Sequence, residues 1–430
     1  MKDSGVEWIG NIPTEWTIYK MKNLTESPLS YGANSSGIDY DTSLPRYIRI
    51  TDISGDNKLK NENKLSLSSE DAKAYILKNN DLLFARSGGT VGKTFLYKEH
   101  YGQAAFAGYL IKASFNNEIL AKWVYLYSLS QGYNEWKNRI FIRSTIQNIG
   151  ASKYSNMEVA MPEKASEKEK IINFLEIKLP HIDSIIEKTK STIEDYKLLK
   201  QSIITEAVTK GLDKNVEMKD SGIEWIGEIP RHWDLSKLKY EFRIKKDIAG
   251  KEGFNVLSVT QGGLKIKDIN INEGQMAADY SKYQFVRKND YIMNHMDLLT
   301  GWVDYSIYDG VTSPDYRVFN MINPEKNSHE YYKYIFQTCY KNKIFYGMAQ
   351  GVSNLGRWRL QADKFLNFHV PIPPKEEQYK IADYIVTEQK RYDDIISKKV
   401  MLLSELEEYK KSLIYEYITG KKEVMYREGL

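Results

Sequence analysis

Through the middle of the chain, seven apolar residues and a threonine recur at short, mainly three- and four-residue steps: Ile182, Ile185, Ile186, Thr189, Ile193, Tyr196, Leu199 and Ile203. Lys, Glu and Asp fill the gaps, with Glu194 and Lys197 three apart on one face. That period predicts an amphipathic helix. The same trace returns near the end at Tyr392, Ile395, Ile396, Leu402, Leu403, Leu406, Tyr409 and Leu413. A stripe this narrow on a highly charged helix cannot bury itself alone, so each helix needs a partner, and the nearest is the other copy in the same chain. The expected packing residues are Ile182, Ile186, Ile193, Tyr196 and Ile203 on the first helix and Ile395, Leu402, Leu406 and Leu413 on the second. Pro180 predicts a break that divides the first region into a short and a long helix.

Elsewhere the pattern changes. Short runs rich in Val, Ile, Tyr and Phe alternate with Gly, Asn, Asp and Ser clusters, as in "RYIRITDISGDN", "NDLLFARSGGTVGKTFLY", "FNVLSVTQGGLKIKD" and "NDYIMNHMDLLTGWVDYSIYDG". These predict strands and turns. "EILAKWVYLYSLSQ" and "HEYYKYIFQTCY" predict short amphipathic helices at equivalent places. Two mixed α/β blocks therefore alternate with two helical ones.

The blocks are copies in their frames. "MKDSGVEWIGNIPTEW" (Met1–Trp16) returns as "MKDSGIEWIGEIPRHW" (Met218–Trp233). "VAMPEKASEKEKIINFL" resembles "VPIPPKEEQYKIADYIV", and "KQSIITEAVTKG" (Lys200–Gly211) resembles "KKSLIYEYITGK" (Lys410–Lys421). The division expected is 1–162, an α/β domain; 163–214, a helix; 215–374, a second α/β domain; and 375–430, a second helix with a tail. The filling of the two α/β blocks is not repeated.

With 430 residues, 27% charged and 42% apolar, the composition is that of a multi-domain globular protein. The formal net charge is only +4, weaker than the basic bias of a stand-alone nucleic-acid binder, so nucleic-acid binding needs local patches or a basic partner. Cys339 is alone, which excludes an internal disulfide framework and a cysteine metal site and fits a reducing compartment. The first residues have acids and glycines where a signal peptide has an apolar run, and no stretch of eighteen apolar residues occurs, so a cytoplasmic protein without membrane association is expected.

Candidate chemistry is sparse. "SGGTVGKT" (Ser87–Thr94) approaches the phosphate-cradling loop, but Ser87 replaces its first glycine and "FLYKEHYG" predicts a following strand where that motif needs a helix. A Gly-rich turn, or a loop whose Arg86 and Lys93 approach a phosphate backbone, fits better. No histidine pair has metal-ligand spacing, and there is no G-x-S-x-G, H-E-x-x-H or G-x-G-x-x-G. No catalytic residue and no metal site are predicted. Polar loop clusters remain, because Arg, Asn and Gln match base edges and Ser, Thr and Lys meet phosphates. In the first domain the candidates are Arg86, Ser87, Thr90, Lys93, Arg143, Ser144, Gln147 and Asn148. In the second they are Asn294, His295, Tyr316, Arg317, Gln350, Ser353, Asn354 and Arg357. Ordinary solvated loops are the competing reading for each cluster.

The framing phrases, together with "YIRITDI", "NDLLFARSGGTVGK" and "YDGVTSPDYRVF", closely resemble the DNA specificity subunit of Type I restriction-modification systems, over essentially the whole chain. The resemblance implies an α+β fold with two similar mixed α/β target-recognition domains. These would be separated by two long helices packed as an antiparallel coiled coil about a pseudo-twofold axis. It implies a non-catalytic subunit that reads double-stranded DNA with a split site. Methyltransferase subunits, and in the nuclease form motor-nuclease subunits, assemble around it; they hold S-adenosylmethionine, ATP and Mg²⁺, and this subunit binds none of them. The family does not fix which loop residues touch bases. Independently, Ile182 to Thr209 is about 28 residues, or roughly 42 Å of helix, against about 34 Å for one turn of B-DNA. Such a spacer suits two short read segments around an unread gap. A coiled-coil scaffold with two protein-binding modules is the alternative from another class.

Overall fold

The computed structural model describes residues 1–55, 57–142, 148–268, 279–351 and 358–424. Two helices dominate it, Ala165–Lys210 and Lys375–Ile418, of 46 and 44 residues. The chain separates into two compact units: Met1–Lys190 with Met401–Leu430, and Ser191–Val400. The unit boundaries fall inside the long helices, so each unit combines one α/β domain, the start of the helix that follows it and the end of the other helix.

In unit 1 the apolar run Leu82–Ala85 is a fully buried strand. It pairs antiparallel with Leu110–Ala113 and Thr94–Leu96, and Ser30–Tyr31 completes a four-stranded sheet. A second sheet of four holds Arg46–Ile48 parallel to Ala104–Phe106. The helix Glu118–Ser128 starts where Asn117 Oδ1 accepts from the amides of Ile119 and Leu120, at 2.7 and 3.3 Å. Its Trp123 is buried and donates its indole N–H to the carbonyl of Ala160 at 2.9 Å. Trp16–Lys20, the end of the framing phrase, pairs with Glu158–Pro162 in the register Trp16↔Pro162. This sets Trp16 at the entrance of the first long helix, where its indole N–H donates to Glu167 Oε1 at 2.9 Å.

Within unit 1 the two helix segments run antiparallel: Phe174 meets Tyr417, and further along Lys410 pairs with Asp183. Ile182, Ile186, Leu413, Ile414 and Ile418 join Trp16 and Trp123 in one core. The helix end turns back at Gly420, whose φ of +71° suits glycine; a Cβ there would meet the Pro13 ring at 2.5 Å and Trp16 at 3.1 Å.

Unit 2 repeats the plan with different filling. Asp234–Lys237 pairs with His369–Ile372, and Phe242–Lys245, Arg317–Met321, Tyr291–Met293 and Val303–Tyr305 form a four-stranded antiparallel sheet in that order. The helix His329–Lys341 is capped by Ser328 Oγ, which accepts from the Tyr331 amide at 3.3 Å. Again the helix segments are antiparallel: Tyr196 lies on Tyr392 and Lys200 pairs with Asp393, and further along the first helix Glu206 lies near Tyr384 on the second. Gly211, at φ +75°, closes the first long helix against Trp233.

Two expectations are corrected. Ala165–Lys210 is one continuous helix with Pro180 inside it. Pro180 is solvent-exposed while Leu179, Ile182 and Ile186 on either side are buried, so the lost hydrogen bond falls at a hydrated position and packing carries the helix through. The packing stripe is also shifted. Ile182, Ile186, Ile193 and Leu413 are buried, and Tyr196, Ile203, Ile395 and Leu406 are half-buried. Leu402, however, is 40% exposed, and Leu403 packs on the core in its place. The stripe steps through 403, 406, 410 and 413, the alternation of three and four that a period of 3.6 requires.

Candidate nucleic-acid interface

The first candidate loop grows from a buried turn. Asn80 takes the left-handed conformation at φ 71°, and the buried carboxylate of Asp81 accepts from the Lys78 amide at 2.8 Å, with Lys112 Nζ 3.6 Å away. The strand Leu82–Ala85 then delivers Arg86 to the surface. Gly92 donates its amide to the Ala85 carbonyl and Ala85 donates to the Lys93 carbonyl, both at 2.8 Å, so the loop is tied at its base. Gly88 and Gly92 have φ of +70° and +82°. Thr94 then opens a strand, so this segment lacks the helix N-terminus that a phosphate-cradling loop uses.

The second segment comes from far along the chain. Ile149 donates its amide to the Arg86 carbonyl at 2.8 Å, and Ser87 forms a bridge with Asn148. Arg86, Ser87, Thr90, Lys93 and Asn148 are thus brought into one cluster; Arg143, Ser144 and Gln147 lie outside the described residues. The Arg86 guanidinium lies 4.8 Å over the Tyr31 ring, and Tyr31 Oη accepts from the Ala151 amide at 3.0 Å. Arg86 Nε and Thr90 Oγ1 have no hydrogen-bond partner among the described residues. Tyr109, 61% exposed, accepts the Arg86 amide on its carbonyl at 3.1 Å. Tyr31 and Tyr109 were not among the sequence candidates; the abundance of tyrosine was their only trace.

Unit 2 builds the same junction. Asn289 is left-handed at φ 72°, and Asp290 accepts from the Arg287 amide at 2.8 Å. After Tyr291–Met293 come Asn294 and His295. Leu360 donates its amide to the His295 carbonyl at 3.0 Å, the counterpart of Ile149 on Arg86. Asn294 Oδ1 accepts from the amides of Met296 and Asp297, each at 3.2 Å, shaping the turn. Tyr340 Oη donates to the Asn294 carbonyl at 2.7 Å, as Tyr154 Oη donates to that of Ala85 at 3.2 Å.

Two candidates differ from their expected setting. Arg317 begins a core strand and, like His295, is only 6% exposed. Its guanidinium donates to the Leu360 carbonyl at 2.8 Å and lies 5.0 Å over Phe365. Burial lowers its pKa to about 10. Burial, then the charges of Arg317 and Arg359, push the His295 imidazole down to about 4, so it is neutral at pH 7. Both residues prop the segment that returns at Leu360; they do not project from a solvated loop. Tyr316 is half-buried, its carbonyl accepting from Gln284 Nε2 at 2.6 Å. The backbone of Gln350 pairs with Arg359; the Gln350 side chain and Ser353, Asn354 and Arg357 lie outside the described residues.

Cys339 is buried in the core of unit 2. Among the described residues no group of three or more His, Cys, Asp or Glu is placed to hold a metal ion, and no helix is long and apolar enough to cross a membrane.

A duplicated α/β domain, each copy offering a differently filled loop junction and seated on a pair of long helix segments, defines a two-domain recognition protein. The chain belongs to the family described as Type I restriction modification DNA specificity domain, which matches residues 13–195 and 234–408. It is 24% identical over 369 residues to the Type I restriction enzyme MjaVIII specificity subunit of Methanocaldococcus jannaschii, covering 81% of this chain and 80% of that protein. In fold it resembles a solved chain from work on complex assembly and conformational transition of the type I R-M system, with a TM-score of 0.70, 12% identity and coverage of 96% and 100%. It also resembles the HsdS subunit from Thermoanaerobacter tengcongensis, with a TM-score of 0.51, 13% identity and coverage of 96% and 98%. The family is the non-catalytic specificity component of Type I systems, and its role is DNA sequence recognition in company with the other restriction-modification subunits.

Proposed function

We propose that this chain reads a bipartite DNA site, one half with each α/β domain, and directs methyltransferase subunits, with motor-nuclease subunits in the nuclease form, to the DNA so marked. One observation carries the reading. The two units share their frame down to the same backbone bonds, Ile149 to Arg86 and Leu360 to His295, yet differ in the side chains those frames present. A shared frame suits shared partners, and divergent filling suits two different base sequences. S-adenosylmethionine, ATP and Mg²⁺ belong on this reading to the partner subunits, and the complex works in the cytoplasm on the cell's own DNA.

The test is an exchange of residues 234–374 for the corresponding block of another such chain, followed by methylation-sensitive sequencing of the host genome. One half of the methylated motif changes and the other half and the gap persist. A change in both halves, or in neither, contradicts the assignment of one half-site to each domain.

A further inference from the structure

Unit 1 contains a cleft of about 1020 Å³ between its α/β domain and its helix pair, lined entirely by residues of that unit. Among the described residues, eight lysines and four carboxylates line it. Several of these lysines are already paired, and Lys98 is held at 2.9 Å by Glu118 from outside the lining. Lys122 is held by Glu176 at 2.8 Å, Lys190 by Glu187 at 3.3 Å, and Lys410 by Asp183. Lys93, Lys137 and Lys411 have no carboxylate within ion-pair distance among the described residues.

Their arrangement is specific. The Lys137 stem lies on the candidate loop itself: a Cβ at Gly92 would fall 2.3 Å from Lys137 Cδ, so glycine is what admits the contact. Lys137 Nζ donates to Asn134 Oδ1 at 3.0 Å, a neutral partner. Burial, and then the like charge of Lys411, lowers its pKa. Lys93 belongs to both the loop and the cleft wall. Three cations thus converge beside a loop read as a DNA contact, and two of them repel each other.

The second copy is filled differently. Among the described residues, the cavity at the equivalent place in unit 2 is about 10 Å³. Lys200 and Asp393 repeat the pair Lys410 and Asp183, but in the repeated phrases Gln201 stands where unit 1 has Lys411. Gln201 donates to Asn342 Oδ1, and Asn342 donates to Thr205 Oγ1 at 3.1 Å, which closes the space. A feature present in one copy alone does not serve a partner that both frames receive alike.

We propose that this cleft binds phosphate, and that the phosphate is the DNA backbone beside the half-site read by the first domain, held by Lys93, Lys137 and Lys411. The inference rests on the DNA-recognition reading above. It makes the two halves unequal: the first domain anchors the duplex by charge, and the second does so to a lesser degree.

The test measures the affinity of the full chain for a labelled duplex carrying its mapped site, as a function of salt. Each lost phosphate contact flattens the slope of log affinity against log salt by roughly 0.9. Combining Lys137→Ala with Lys411→Gln flattens it by roughly two units and weakens low-salt binding by about tenfold or more, with the preferred sequence unchanged. Lys411→Gln alone, which copies Gln201 at an exposed helix position, gives about half of that effect. Lys341→Ala in unit 2 leaves the slope in place. An unchanged slope in the double variant, with sequence preference intact, overturns the cleft assignment and leaves DNA recognition standing; a wild-type chain with no sequence preference overturns that underlying reading instead. Sodium tripolyphosphate separates the two sources of phosphate: if its binding is lost in the double variant while the DNA slope is unchanged, the cleft takes a free polyphosphate and the DNA assignment fails.

Discussion

His295 shows how a side chain suited to base contact is put to a different use. It follows a buried strand, two positions beyond Met293 where Arg86 is one beyond Ala85, but its ring is enclosed and faces two guanidinium groups. The unfolded chain protonates this histidine below its ordinary pKa of about 6.5, whereas the folded domain resists protonation until about 4. In that window the unfolded state binds more protons, so stability falls as pH falls from about 6.5 to about 4. Thermal melts across this range are expected to show a decline of up to a few kcal/mol in unit 2, and His295→Asn is expected to remove that component. Neither this burial nor that of Arg317 was legible in "NHMD" or "SPDYR". An arginine goes inside only where a backbone carbonyl and an aromatic face receive it, and Leu360 and Phe365 come from more than forty residues away.

The long helices were legible as elements, because a 3.6-residue period is a local property and both copies display it. Their phase was less so. Leu402 and Leu403 both continue the apolar trace, and only the partner segment decides which faces inward. Leu403→Ala is accordingly expected to cost about 1–2 kcal/mol of stability and Leu402→Ala less than about 0.5, compared by chemical denaturation. Pro180 was misleading for a related reason. Its intrinsic effect is to break a helix, but it is solvent-exposed between buried neighbours, and tertiary packing overrides local preference there. The paired loops could be named individually from their polar composition. That Asn148 lies beside Ser87 depends on the strand order of the domain, which no short stretch encodes.

For the whole molecule, the duplicated phrase was the most informative feature of the sequence, and the structure gives it a mechanical role. Trp16 and Trp233 are each buried where a framing phrase receives a helix end, Gly420 in one unit and Gly211 in the other. Unit 1 is therefore completed by a segment distant in sequence from its own domain, and its core is unfinished until residues 401–424 arrive, whereas unit 2 receives the helix end that leads directly into it.

Because both sockets accept nearly the same helix end, the join is indifferent to whether that end belongs to the same polypeptide. A chain cut to residues 1–217 carries the Trp16 socket and the Gly211 end, and two such chains can complete one another. Sedimentation is expected to find that fragment as a symmetric dimer, and Gly211→Val, which adds bulk at a positive φ against the socket's tryptophan, is expected to return it to an unfolded or monomeric state. In that light two unlike recognition domains in one chain are a fused heterodimer, free to vary each head while a single fastening serves both.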